Sequence, residues 1–392
     1  MRRLRIAVVC DYAEEGWPSM DLVGEMLGVE LKARHSAALE VTRIQPAFVR
    51  RLSRASGEGG ARMRFNADRA LNRFFEYPRM LRRLRGGFDV FHIVDHSYAH
   101  LAHELAGART VVTCHDLDAF RCLLGSAAAR RSLPFRLMAR RTLAGMRKAA
   151  RVCCDSLATH DALVADALVP PDRLVVIPNG VHPACSPLPD EAADAAAAHL
   201  LGPANPGTIE ILHVGSTIPR KRIDVLLRIM AAARAQFPNL RLVKAGGALD
   251  GDQQRLAQAL GLEDSIATMP FLEPAVLAAL YRRAALLLMP SEAEGFGLPL
   301  VEAMACATPV IASDIPVLRE IGDDAAVYCA VAEVPAWSTA LAAMLHERAA
   351  NPERWAARRD VAIRQASRFS WATYADRCAA LYREVASDEI AV

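Results

Sequence analysis

The sequence pattern with the clearest chemical meaning is the run 291–305, SEAEGFGLPLVEAMA, in the second half of the chain. A strand-like stretch precedes it, and Pro299 is typical of the first turn of a helix. Gly295 and Gly297 would let a ligand lie close to the backbone of the intervening loop. The backbone amides of three residues would point toward one spot at the positive end of the helix dipole. These residues are Phe296, Gly297 and Leu298. The pattern predicts an anion site suited to a pyrophosphate.

Two carboxylates flank this predicted anion site. Glu294 lies in the loop and Glu302 lies about one turn into the helix, so we expect both to face the same crevice. A carboxylate accepts two hydroxyl hydrogen bonds at once, which suits a sugar ring or a ribose diol. Taken alone, Glu302 is better explained as an acid that stabilises the helix dipole. The complete run is more specific than either acid.

A second arrangement of strand, glycine loop and helix start is predicted in the run 212–227. Gly215 and Ser216 follow the strand, and Arg220 and Lys221 stand at the start of the helix. Two cations at this position oppose the helix dipole, and an anionic ligand between them would remove the conflict. A guanidinium fork and an ammonium point charge together suit a nucleoside diphosphate. We therefore expect these cations to bind ligand.

Charge is distributed unevenly along the 392 residues. Residues 1–185 hold 28 Lys+Arg against 19 Asp+Glu, or +9, and residues 186–392 hold 19 against 25, or −6, which sum to the net charge of +3. A basic first half predicts an acidic partner, either an anionic membrane surface or a phosphate-bearing acceptor. Arginines on solvated helix faces would explain it equally well. No nucleic-acid partner is predicted.

Two basic stretches account for much of this charge. The stretch 50–85 contains eleven arginines, and we expect a loop plus a basic helix there. The stretch 130–151 places eight Lys and Arg among apolar residues, so it could lie on an anionic membrane. The favoured alternative is a surface helix whose apolar stripe packs on the first sheet.

Cysteine usage and hydropathy predict a cytoplasmic protein. The nine cysteines follow no metal or disulfide spacing, which fits a reducing compartment. No signal peptide is expected, and no apolar run reaches the roughly 20 residues of a membrane-spanning helix. Peripheral contact with the inner membrane face stays an option because of the basic first half.

Short β-branched runs alternate with longer amphipathic segments, which indicates an α/β protein built on parallel sheets. Two series of about six strands predict two doubly wound, Rossmann-like domains that face each other across a central cleft. A Pro-rich stretch near 180–206 marks the boundary, and an amphipathic helix is predicted at 371–385. The candidate strands are 4–10, 39–44, 90–94, 110–114, 152–154, 174–177, 209–214, 240–245, 266–269, 285–289, 309–312 and 326–328.

With these motifs, the chain resembles glycosyltransferase family 4. The resemblance rests on Arg220-Lys221 after a Gly-Ser strand end, the Glu294 to Glu302 spacing, the IPNGV run at 177–181 and the FSW run at 369–371. It implies the GT-B fold, with a donor domain at 186–370 and an acceptor domain at 1–185 completed by a helix at 371–392. It also implies metal-independent, retaining transfer of a hexose from a nucleotide sugar to a glycan, lipid-linked or small-molecule acceptor.

The resemblance also assigns roles to individual residues. Glu294 would contact the donor sugar, Glu302 the ribose, and the amides of 296–298 the sugar and phosphate. Arg220 and Lys221 would hold the diphosphate. The aromatic or apolar residues around Phe271 would lie near the base, and we expect a UDP- or GDP-linked donor with no separate cofactor. Many relatives have an arginine directly after the strand-end glycine, where this chain has Ser216. Either the phosphate has one contact fewer in this chain, or Arg220 makes the contact that the arginine makes in those relatives.

The first half offers fewer signals. His115 and Asp116 end a strand in the manner that family 4 uses near the reacting carbon, so His115 is a candidate catalytic residue with Arg220, Lys221 and Glu294. The alternative is a strand-end histidine held by local hydrogen bonds. The loop after the first strand should border the acceptor site. The candidate acceptor-side residues are Gly16, Ser19, His96 and Asp116. No metal site is expected, because the nearby histidines flank a strand end rather than share a helix face.

Two other functions stay open at this point. A nucleotide-sugar epimerase would also bind its ligand between Rossmann-like domains, but it needs acid and base groups around the sugar. A non-catalytic sugar-nucleotide binding protein would require some loss of donor-binding residues, and only Ser216 hints at that.

Overall fold

Strands buried on both faces form the centre of the fold. The computed structural model describes residues 2–54, 60–106, 109–124 and 131–387. Two six-stranded parallel sheets have the orders β2-β1-β3-β4-β5-β6 and β12-β11-β10-β7-β8-β9. The strands are β1 (Leu4–Val9), β2 (Leu39–Ile44), β3 (Val90–Ile93), β4 (Thr110–Cys114), β5 (Arg151–Cys154), β6 (Leu174–Val176), β7 (Ile209–Val214), β8 (Leu240–Ala245), β9 (Ile266–Met269), β10 (Leu286–Met289), β11 (Val310–Ser313) and β12 (Ala326–Cys329). All the predicted strands are confirmed, with ends that differ by about one residue, the usual boundary uncertainty.

Helices connect the strands, as parallel pairing requires. They are α1 (Pro18–His35), α2 (Ala61–Leu71), α3 (Tyr77–Leu84), α4 (Leu133–Lys148), α5 (Leu157–Ala165), α6 (Glu191–Leu201), α7 (Ile223–Arg234), α8 (Gly251–Ala259), α9 (Pro274–Arg283), α10 (Leu298–Ala305), α11 (Pro316–Gly322), α12 (Val334–Ala350), α13 (Pro352–Ala366) and α14 (Trp371–Ser387). The α/β class predicted from the alternating pattern is therefore confirmed.

The chain forms two compact units, each with one sheet. The first comprises the residues up to Asn179 together with those from Trp371 onward, and the second runs from Gly180 to Ser370. The predicted boundary at residue 185 lies a few residues into the second unit. Each unit is a doubly wound, Rossmann-like layer structure.

Each sheet contains a point where the order of strands reverses. In the second sheet the chain moves from β7 outward through β8 and β9, then returns to the other side of β7 with β10. The loops after β7 and β10 therefore leave the same edge side by side, which is where ligands bind in open α/β sheets. The corresponding point in the first sheet lies between β1 and β3.

The helix α14 belongs to the first unit. Trp371, Tyr374 and Tyr382 are buried in a cluster with side chains of β1 and α1. The Tyr382 hydroxyl lies 2.6 Å from His92 Nδ1, and His92 Nε2 lies 2.7 Å from the hydroxyl of Thr113. The predicted amphipathic helix is thus confirmed, although 388–392 of the predicted range lie outside the described residues.

The two basic stretches are mainly helical. In 50–85, α2 and α3 are joined by a π-helical turn, Asn72–Glu76, and residues 55–59 lie outside the described ranges. In 130–151, of which residue 130 is not described, α4 packs its C-terminal half on the segment His96–Glu104. A Cβ added at Gly145 would lie 2.0 Å from the carbonyl oxygen of Ala99, so the two backbones touch. Leu143 and Met146 of this half belong to the same buried apolar cluster as side chains of β3, β4 and β5, which confirms the expected packing for this half.

Three further properties concern partners and compartment. Among the described helices none is both long and apolar enough to cross a membrane. No three His, Cys, Asp or Glu side chains within the described ranges are grouped so as to hold a metal ion. All nine cysteines are free thiols, as the cysteine spacing predicted.

Candidate functional site

The loops after β7 and β10 meet at the reversal point of the second sheet. The amide of Glu292 donates a hydrogen bond to the carbonyl oxygen of Arg220, at 2.9 Å. Pro219–Lys221 forms a single 3-10 turn, and Arg222 then adopts a left-handed conformation, with φ +51°, before α7 begins. The two predicted phosphate-binding runs are therefore brought together, as their sequence positions required.

Glu294 is the side chain on which the two loops converge. Its Oε1 lies 2.6 Å from Lys221 Nζ, and its Oε2 lies 3.3 Å from Arg220 Nη1. The same guanidinium nitrogen donates to the carbonyl oxygen of Ala293 at 3.0 Å. The Glu294 and Lys221 side chains are only 6% and 10% exposed. This geometry is a buried triad of two cations and one carboxylate.

The triad carries charge at neutral pH. Burial favours the uncharged form of the Glu294 carboxyl, but the charges of Lys221 and Arg220 outweigh it and lower the pKa of Glu294. An ionised carboxylate between two cations leaves the triad with a net positive charge. Such a site attracts a further anion while its own acid holds the cations in place.

The sequence position of Arg220 and Lys221 predicts unpaired cations in conflict with the dipole of α7. That prediction is wrong, because Glu294 pairs with both. The next cation, Arg222, also has carboxylate partners, Asp224 at 3.0 Å and Glu292 at 3.4 Å. Because these acids relieve the conflict, the case for a phosphate ligand rests on net charge and position.

The start of α10 lies next to this triad in the chain. Phe296 is buried and its ring packs edge-on against Phe369, with 5.6 Å between the centroids. Gly297 adopts φ +95°, a conformation that other residues rarely reach, and α10 begins at Leu298. Within the described part of the chain, no hydrogen bond engages the amides of Phe296 or Gly297. These two amides therefore have no acceptor among the described residues, and their role in binding an anion stays a prediction.

Glu302 occupies a different environment from Glu294. It is 8% exposed and accepts a hydrogen bond from the Tyr281 hydroxyl at 2.9 Å. Burial raises the pKa of Glu302 to about 7, with the Tyr281 bond opposing the shift. A carboxyl that is half protonated near neutrality can both donate and accept a hydrogen bond. The structure thus places the two acids in contrasting electrostatic surroundings.

The remaining donor-side residues lie on the surrounding strand ends. Gly215 borders the Lys221 side chain, because a Cβ there would lie 3.4 Å from Lys221 Cε. Gly295 is buried, Ser216 is half-buried, and Phe271, just after β9, is 58% exposed. An exposed aromatic ring at the end of a strand is suited to stacking on a flat ligand.

In the first unit, His115 is held on both sides of its ring. Nδ1 lies 3.1 Å from the carboxylate of Asp155, and Nε2 lies 2.7 Å from the carbonyl oxygen of Val94. Burial lowers the pKa of His115, but the bond and charge of Asp155 raise it to about 9 overall. The ring is therefore an imidazolium at neutral pH and donates both of its protons to these partners. Asp155, at the end of β5, was missed from sequence, where only its strand-end position signals it.

The acceptor-side candidates lie in two places, either close to His115 or just after β1. His96 is buried, accepts a hydrogen bond from the amide of His115 at 3.3 Å, and places Nε2 3.8 Å from Asp116. Gly16 and Ser19 are exposed after β1, beside the reversal point of the first sheet. The structure therefore groups His96, His115 and Asp116, whereas Gly16 lies in the loop after β1 and Ser19 in the first turn of α1.

The chain matches two family models. The family described as Glycosyl transferases group 1 matches residues 202–360, and the one described as Glycosyltransferase Family 4 matches residues 31–184. A D-inositol 3-phosphate glycosyltransferase of Thermobispora bispora is 31% identical over 320 residues, which cover 76% of this chain and 71% of that protein. A protein of the same name from Segniliparus rotundus is 33% identical over 220 residues, 54% of this chain and 47% of the relative. This chain thus aligns with about half of that relative's length.

Solved structures share the fold along nearly the whole chain. Sucrose-phosphate synthase from Thermosynechococcus elongatus is 22% identical, with a TM-score of 0.74, over 98% of this chain and all of that one. Anabaena Alr3699/HepE, solved in complex with UDP and glucose, is 17% identical, with a TM-score of 0.70, over 97% of this chain and 99% of that one. At these identities the likeness shows a common fold, GT-B.

The raised pKa of Glu302 predicts a measurable pH dependence. Because the folded protein holds this proton up to about pH 7, against an ordinary value of 4.5, its stability should fall as pH rises between the two. Glu302→Gln has no proton to lose at this position. From pH 4.5 to pH 7.5, the free energy of unfolding of the wild type should therefore drop by about 3 kcal/mol relative to that of the variant. Urea unfolding at pH 4.5 and pH 7.5 measures this. The exposed Glu353→Gln is the control, and parallel pH profiles for wild type and Glu302→Gln would contradict the assignment.

Proposed function

The chain belongs to the group 1 glycosyltransferases of family 4, and on that premise we propose that it transfers a hexose from a nucleoside-diphosphate sugar to an acceptor hydroxyl with retention of configuration. The observation that supports this most strongly is the buried triad of Arg220, Lys221 and Glu294, which joins the loops after β7 and β10.

The triad suits the diphosphate end of such a donor. Two cations and one carboxylate leave one positive charge, and the unengaged amides of Phe296 and Gly297 lie a few residues from Glu294. A diphosphate that accepted hydrogen bonds from these amides and from Lys221 would replace Glu294 as the partner of Lys221 and so free Oε1 of the carboxylate. That carboxylate could then accept hydrogen bonds from the sugar hydroxyls. One acid would thus hold the cations before binding and position the sugar afterwards.

The same groups would stabilise the leaving group without a divalent ion. As the bond from the anomeric carbon to the phosphate oxygen breaks, negative charge grows on the nucleoside diphosphate. Fixed cations and helix amides that are already in place stabilise that charge with little reorganisation. The acceptor oxygen bonds to the same face of the anomeric carbon, and the departing phosphate takes its proton.

The charge of the first unit and the names of the relatives indicate which donors and acceptors to test first. The structure of Alr3699/HepE holds UDP and glucose, so UDP-linked sugars are the first donors to test, before GDP-linked ones. The relatives named for D-inositol 3-phosphate make a phosphorylated polyol one acceptor to test beside glycans and lipid-linked sugars. The basic first unit favours an acceptor that carries phosphate.

We further propose that α4 touches an anionic membrane from the cytoplasm, where free thiols persist. Its N-terminal half exposes Leu133 (65%) and Leu137 (54%), beside the basic side chains of Arg131 and Arg136. Exposed apolar residues flanked by arginines are suited to the interface of an anionic bilayer.

Replacing the triad lysine tests the transfer reaction. Lys221→Met removes the ammonium that pairs with Glu294 and would contact the diphosphate, so kcat/KM for a UDP- or GDP-sugar should fall at least about 10³-fold. The matched control is Lys32→Met, which removes the same positive charge from an exposed position and should leave turnover unchanged. Near-normal turnover by a folded Lys221→Met protein would reject the role, and an isomerised donor without transfer would favour an epimerase.

Sedimentation with vesicles tests the membrane contact. Leu133→Ser/Leu137→Ser should reduce binding to phosphatidylglycerol vesicles at least about thirtyfold, since each exposed leucine contributes about a kcal/mol or more to interfacial burial. Leu188→Ser/Leu200→Ser changes two exposed leucines of the second unit and is the matched control. Equal loss in both variants, or no binding by the wild type, would contradict the proposal.

A further inference from the structure

Lys244 is a buried lysine that pairs with no carboxylate in the part of the chain that the structure describes. Its side chain is fully buried in β8, and among the described residues it takes part in no ion pair. A buried ammonium is costly unless polar groups satisfy it, and here only backbone does so. Nζ donates to the carbonyl oxygen of Gly246 at 3.1 Å and to that of Gly247 at 2.6 Å.

The two glycines form a turn that only glycine readily adopts. Their φ angles are +100° and +102°, in the region that disfavours side chains. The turn directs its carbonyl oxygens inward to Lys244 and its amides outward to the end of β9. Gly246 donates to the carbonyl oxygens of Met269 and Pro270, both at 3.2 Å, and Gly247 donates to Met269 at 2.9 Å.

This turn touches both ends of the predicted donor site. A Cβ at Gly246 would lie 2.6 Å from the carbonyl oxygen of Gly215, so its backbone packs directly on the loop that leads to Lys221. On the other side, its bonds to Met269 and Pro270 hold the backbone just before the exposed Phe271. One ammonium thus holds a turn between the phosphate loop and the base-stacking ring.

We propose that Lys244 is a positioning residue for the nucleoside of the donor, which it orders through the Gly246-Gly247 turn. This inference rests on the proposed function, and it predicts a loss of nucleotide affinity that is not specific to the diphosphate.

The groups around Lys244 give a pH readout. His213 lies directly opposite on β7, and burial lowers its pKa to about 4, so it stays neutral above pH 6. Lys221, near His213, is paired with Glu294, and Thr268 opposite on β9 does not titrate. Burial lowers the pKa of Lys244 from 10.5 to about 8. Deprotonation should therefore stabilise the fold above pH 8 while weakening nucleotide binding, and a purely structural lysine would show only the first effect.

Calorimetry with UDP and UMP tests the inference, or with GDP and GMP if the wild type prefers guanine. Lys244→Met, a neutral residue of similar length, should weaken both nucleotides about tenfold, the equivalent of a lost charged hydrogen bond, and leave their affinity ratio unchanged. Lys221→Met should instead lower the ratio, because it removes a diphosphate contact. The apo melting temperature of each variant establishes folding.

Unchanged affinity in a folded Lys244→Met protein would overturn the inference. If that variant does not fold, the Glu302→Gln protein decides, because it lacks the other group of the donor site that titrates near neutrality. Its UDP affinity should fall about threefold between pH 7 and pH 8.5 as the charge-assisted bonds weaken, and a flat profile would overturn the inference. If the wild type binds neither UDP nor GDP, the proposed function itself fails and this inference fails with it.

Discussion

The burial of one carboxylate between two cations is the interaction on which the second unit's site depends. Burial raises the pKa of Glu294, and the charges of Lys221 and Arg220 outweigh that effect and lower it. Without Glu294, these two cations would oppose the dipole of α7. Since the partners belong to loops from different strands, their pairing fixes the distance between those loops. Breaking one partner of such a buried group leaves an uncompensated charge, which is far more costly than losing a surface ion pair.

The sheet order makes that pairing possible. Where the chain leaves two neighbouring strands toward opposite sides of a doubly wound sheet, a crevice opens at the carboxyl edge between their loops. The β7 and β10 loops border this crevice, the start of α10 adds unengaged amides, and the Gly246-Gly247 turn closes the side toward β9. In the first sheet the same edge carries His115 and His96. Each unit therefore presents its polar residues at the strand ends while apolar side chains fill the interior.

The fold and the donor loops could be predicted from sequence because their signals are local. Strand runs, glycine turns and Pro299 at a helix start each depend on a few adjacent residues. Side-chain partners were harder to predict, because they come from distant parts of the chain. Nothing near Glu302 indicates Tyr281, and nothing near His115 indicates Asp155. Lys244 has no side-chain partner among the described residues, and in the sequence only its charge within the apolar run of β8 signals it. The roles assigned to individual site residues stay predictions.

A crystal structure with bound UDP or GDP tests the central claim most directly. Phosphate oxygens should lie within hydrogen-bonding distance of both Lys221 Nζ and the amide of Phe296 or Gly297, with Glu294 turned toward the sugar. A nucleotide bound elsewhere, or one whose phosphates contact only a single loop, would contradict it.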